Sequence, residues 1–215
     1  MDNELLAKLA DKTLTKDDLR ELVKHDFGLI PILLTGTSSP TAAIRYGCAK
    51  VLMDLSAEYP EKLYPYIDSF IGLLDSKYRI LIWNALAIIA NLTKIDEEKK
   101  FDAIFDKYFD FLNNEYMVTV ANTVGNSGKI ALAKPYLIPR ITAELLKVEN
   151  VSVTPHLTEE CKRVIAEGAI KTFDMFFDKL DEKEKKEVLS FVKRQLNSSR
   201  RRLSERASFF FKKWC

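Results

Sequence analysis

LYPYIDSFIGLLDSKYRILIWN (residues 63–84) and FDAIFDKYFDFLNNEYMVTVAN (residues 101–122) are one pattern written twice, 38 residues apart. Asp68 falls on Asp106, Leu74 on Leu112, Tyr78 on Tyr116 and Asn84 on Asn122. Phe70, Ile71 and Leu73 meet the equally apolar Tyr108, Phe109 and Phe111. A repeat of this length, read as helix–turn–helix, is one supersecondary unit that cannot bury its apolar face alone. The expectation is an all-α chain of hairpins, each covering the next.

The register extends in both directions. Leu-Asp-Ser at 74–76, Leu-Asn-Asn at 112–114 and Leu-Asn-Ser at 196–198 occupy the same turn, where Asp and Asn are expected to bond their own backbone and cap the following helix. Second helices are expected at about 41–57, 78–93, 116–131, 158–178 and 200–214. First helices are expected at 29–34, 63–74, 101–112, from Pro135 to about 148, and at 182–196. Cys48, Ala85, Thr123, Ala169 and Ala207 form one column of small residues, as closely crossing helices require, with Ile89, Phe173 and Phe211 filling space one turn later. Residues 1–28 read as capping helices, with Thr15 as an N-cap. Residues 29–181 read as repeats one to four, broken by an insertion at 147–160 with strand-like Val151, Val153 and Thr154. Residues 182–215 read as a basic final repeat. The domain expected is a single right-handed superhelix of about five repeats over 1–215.

Composition narrows the class. A chain of 215 residues with 47 % hydrophobic and 30 % charged residues is globular in character. Its apolar runs are too short for a membrane span, and its N-terminus lacks the layout of a signal peptide. Cys48, Cys161 and Cys215 are odd in number and widely spaced, which fits a reducing cytoplasm. The net charge of +2 is unevenly spread. Lys193, Arg194, Arg200, Arg201, Arg202, Arg206, Lys212 and Lys213 face Glu205 alone over 193–215, so that end is net +7 and the first 192 residues net −5.

No catalytic constellation emerges. His25 and His156 are far apart, His156 and Cys161 make a poor metal pair, and neither a metal nor another cofactor is implied. GNSGK at 125–129 is similar to a phosphate loop, but Thr123 stands where its first glycine belongs and Ile130 where Ser or Thr should follow the lysine. Close helix packing accounts better for Gly125, Ser127 and Gly128.

The run LLDSKYR at 73–79 followed by Ala85-Leu86, and IRYGCAKVL at 44–52, resemble HEAT repeats; ALAIIANL at 85–92 is similar to the inner helix of armadillo repeats. The resemblance covers about residues 29–214. It implies an α-solenoid that binds a protein or peptide partner on the concave face of its second helices, without catalysis. Asn84, Asn91, Asn122 and Arg206 are the candidate partner contacts, Asn91 as an amide clamp for a peptide backbone. The insertion would sit on the rim, and Phe209 with Trp214 would meet a partner or a second copy. The alternative is nucleic-acid binding through Arg194, Arg200, Arg201, Arg202, Arg206, Lys212 and Lys213. A third reading is a DNA-repair enzyme resembling the HEAT-like glycosylases, although Trp83 and Trp214 lie in different repeats instead of one tryptophan-rich stretch.

Overall fold

A computed structural model describes residues 2–215, with side chains from Glu4 onward. Among the described residues the regular structure is helical, with a single isolated bridge between Thr154 and Leu157. The helices group into two compact units, one ending at Glu98 and one starting at Lys99.

The first unit holds α1 (Asp2–Ala10), α2 (Lys16–His25), α3 (Ile30–Gly36), α4 (Ala42–Glu58), α5 (Pro60–Leu63), α6 (Ile67–Gly72) and α7 (Arg79–Leu92). Thr15 caps α2 through a full capping box with Asp18, as expected. Helix α4 is the hub, packing on α1, α2, α3 and α7. Its buried Cys48, Val51, Leu52 and Leu55 recur at helical spacing. Residues 88–92 of α7 are buried on every side, so this stretch is a core helix without a polar face.

The second unit holds α8 (Lys100–Ala103), α9 (Phe105–Asp110), α10 (Met117–Ala133), α11 (Ile138–Leu146), α12 (Glu159–Asp174), α13 (Glu182–Gln195) and α14 (Arg201–Trp214). Two layers form. In one, α10 packs on α12 and α12 on α14; in the other, α11 packs on α13. That is the stacking of consecutive hairpins. The whole small-residue column is fully buried: Cys48, Ala85, Thr123, Ala169 and Ala207. Ile89 and Phe173 fill the core one turn on, but in α14 Phe210 takes that place and Phe211 is half-buried.

First helices are more broken than expected. Residues 63–74 divide into the end of α5, a 3-10 turn at Tyr64–Tyr66, α6, and a second 3-10 turn. Pro65 removes a backbone donor at that break, as Pro31 and Pro139 do at the starts of α3 and α11. The entry to the second helices is uniform. Ser39, Ser76, Asn114 and Ser198 each accept from the backbone N–H two residues on, at 3.2, 3.1, 3.0 and 3.3 Å. In the three turn triplets it is the third residue that does this. Pro40 precedes α4 by two residues instead of starting it.

The insertion at 147–160 is not a strand. It begins as a 3-10 turn at Lys147–Asn150 and then lies against the entry to α10. Thr154 Oγ1 donates to the Glu115 carbonyl at 2.7 Å, and the His156 ring stacks on Tyr116 at 4.4 Å. Leu157 is fully buried.

Candidate interaction surface

The second helices turn one recurring face outward. Ala43, Ile80, Val118 and Arg202 are exposed at equivalent positions of α4, α7, α10 and α14, with Val164 of α12 half-exposed. Ile80 and Val118 are 39 % and 43 % exposed, unusual for β-branched apolar side chains. One turn later come Gly47, Asn84, Asn122, Gly168 and Arg206, a column that includes three of the four candidate contacts read from the sequence.

Its members differ in what they offer. Asn84 is buried. Asn122 is half-exposed, and its Nδ2 donates to the Val118 carbonyl at 2.8 Å. Asn126, Thr123 and Ser127 bond carbonyls one turn back in the same way, which ties the polar side of α10 to its own backbone. Asn91 is an interior residue: it is buried, and its Nδ2 donates to Ser56 Oγ at 2.9 Å. It lies in the all-round buried end of α7. Tryptophan 83 is half-buried.

In the second unit the face opens into a groove of about 570 Å³ between α12 and α14, lined by Glu167, Lys171, Arg202, Glu205, Arg206 and Phe209. Its charges divide into spent and unspent. Glu167 pairs with Lys171 at 2.6 Å and with Arg200 at 3.3 Å. Burial pushes its carboxyl up, but these two cations together hold it below the usual carboxylate range. Glu205 pairs with Arg201 at 2.7 Å. Arg202 and Arg206 have no carboxylate partner among the described residues.

The basic end is therefore less basic than its sequence. Arg194 grips Glu149 with two bonds of 2.8 and 2.6 Å, fastening α13 to the start of the insertion. Arg200 bonds Glu160 and Glu167 of α12, and Lys213 bonds Asp174 at 2.8 Å. Of the seven cations considered for nucleic acid, Arg202, Arg206 and Lys212 remain without an acidic partner among the described residues. Trp214 is also committed: it packs on Phe177 and Phe210, and its Nε1 donates to Asp174 at 2.6 Å. Phe209 is 56 % exposed.

His156 and Cys161 do not converge. The ring stacks on Tyr116, while the thiol sits 3.3 Å from Thr158 Oγ1 within the cap of α12. No group of three or more His, Cys, Asp or Glu among the described residues is arranged to hold a metal ion. None of the described helices is long and apolar enough to cross a membrane. Close packing at the glycines is real for Gly128, where a Cβ would lie 2.5 Å from Met175 Sδ; at Gly125 it would meet open space.

Within each unit, helical hairpins whose second helices pack on one another make an armadillo/HEAT-like α-helical repeat fold. A designed armadillo repeat protein matches with a TM-score of 0.57 at 16 % identity, covering 96 % of this chain and 89 % of its own. The crystal structure of an engineered protein matches at 0.54 and 14 % identity, covering 96 % and 86 %. These likenesses establish the fold. No family model matches the chain, and neither does any curated protein.

Proposed function

We propose that this chain is a non-catalytic protein-interaction module of the cytoplasm, binding a protein or peptide through the outward face of its second helices. The observation that carries the reading is the repetition of Ile80 and Val118. Each is an exposed apolar side chain one turn before an Asn, on α7 of the first unit and α10 of the second. An isolated exposed apolar residue is ordinary; within each unit taken by itself, an exposed β-branched side chain at the same repeat position of the second helix is a recurring feature. Asn122 supplies an amide group beside Val118, and Arg206 a guanidinium on α14, whereas Asn84 is buried. A nucleic-acid reading is less well supported, because Arg194, Arg200, Arg201 and Lys213 already face carboxylates at close range.

The test is capture of the partner from native lysate by wild type and by an Ile80→Glu/Val118→Glu variant, with unchanged helical circular dichroism as control. The expected result is loss of the specific partner by at least tenfold, about 1.4 kcal/mol. Equal capture by the two proteins rejects the face.

A further inference from the structure

The groove between α12 and α14 has its own chemistry, and we infer that it receives an acidic peptide segment bearing a large apolar side chain. This inference rests on the second-helix reading and names the class of partner at one part of that face.

Arg202, Arg206 and Phe209 follow one another at i, i+4 and i+7 along α14, so they share a single stripe. All three line the groove. The two guanidiniums are the groups there with no carboxylate among the described residues, while Glu167 and Glu205 are each neutralised by a neighbouring cation. Any anion entering thus meets two unspent forks of donors and no unpaired carboxylate. Arginine suits this role, because its planar fork binds a carboxylate with two bonds at once. Phe209, more than half exposed, gives an apolar neighbour of the incoming segment something to cover. Lys171 on the opposite wall adds positive field while remaining bonded to Glu167. A peptide carboxylate and a nucleic-acid phosphate both seek arginine. The exposed phenylalanine beside two side-by-side forks, in a region where Arg194, Arg200, Arg201 and Lys213 are already paired with carboxylates, favours the peptide.

The probe is a fluorescein-labelled decapeptide rich in Glu and Leu, titrated against the full chain by fluorescence polarisation at low and moderate salt. Saturable binding is expected. It should weaken about tenfold or more in Arg202→Ala/Arg206→Ala and several-fold in Phe209→Ala, and stay unchanged in Lys183→Ala, an exposed cation on α13 outside the groove. A matching Lys- and Leu-rich peptide should not bind. Absence of saturable binding, or equal affinity in the double arginine variant, overturns the inference. So does tighter binding of a single-stranded oligonucleotide at the same arginines, which would make the groove a phosphate site. A dimer in sedimentation that Phe209→Ala converts to monomer would also overturn it, since the groove would then be filled by a second copy. If the acidic peptide fails while Ile80→Glu/Val118→Glu still abolishes partner capture, the groove inference falls and the broader reading stands.

Discussion

Gly36 shows how tightly the residue scale is drawn. It ends α3, and a Cβ there would lie 2.5 Å from Cys48 Sγ and 3.3 Å from Leu6 Cδ2. Cys48 is fully buried, so it has nowhere to retreat. Alanine gains up to about 1 kcal/mol of helix propensity, but overpacking a filled site costs about 1–3 kcal/mol. Gly36→Ala should lower stability by the difference, up to about 2 kcal/mol if the full propensity gain is realised, measured as a shift of the urea midpoint. Gly72 is the contrast: it ends α6 in helical conformation, with φ near −62°, and a Cβ would meet nothing within 4 Å. Gly72→Ala should be neutral or stabilising by up to about 1 kcal/mol. If both variants melt alike, the contact with Cys48 is not the cause.

At the scale of elements, the pairing of α12 with α14 depends on a cation placed against expectation. Arg200 is the N-cap residue of α14, the end where a helix dipole disfavours positive charge. Its partners resolve this: Glu160 and Glu167 both lie on α12, and Arg200 joins them. Glu160 is held below the ordinary carboxylate range by Arg200 and then Arg163; Glu167, pushed up by burial, is drawn down by Lys171 and Arg200. Carboxyls lowered by folding contribute stability that is full above their unfolded value of about 4.3 and lost as pH falls through the folded one. Thermal melts at stepwise pH should therefore show wild type losing stability below about pH 4.3. Arg200→Gln should be less stable at neutral pH and should lose less on acidification. Parallel losses in the two proteins would refute the link. The sequence shows why this was hidden. Periodicity revealed the hairpins, the turn triplets and the buried column at Cys48, Ala85, Thr123, Ala169 and Ala207, because those repeat. Arg200–Glu160, Arg194–Glu149 and Thr154–Glu115 join residues 40, 45 and 39 positions apart and occur once each, so no pattern announces them. Asn91 shows the opposite limit: an Asn near the end of an inner helix fits a family motif, but a motif does not tell that the side chain is buried and bonded to Ser56.

Across the whole molecule, the three thiols report on burial in both units at once. All are unpaired: Cys48 buried in α4, Cys161 half-buried in the first turns of α12, and Cys215 exposed. Burial pushes the Cys48 thiol up to about 12. At pH 8 only on the order of one molecule in ten thousand would carry that thiolate, the form that reacts. Inaccessibility lowers the rate further, because Sγ lies in the core against α3. Iodoacetamide should therefore alkylate Cys215 first and Cys161 more slowly. Cys48 should react only at the rate at which the first unit opens, which peptide mapping by mass spectrometry resolves. Sub-denaturing urea should raise Cys48 labelling steeply while leaving Cys215 nearly unchanged, since m-values scale with the surface exposed. Prompt labelling of Cys48 in native buffer would mean that α4 is not enclosed as described. The packing of α1, α2, α3 and α7 around it would then have to be abandoned, and with it the assignment of Ile80 to an outward face of α7.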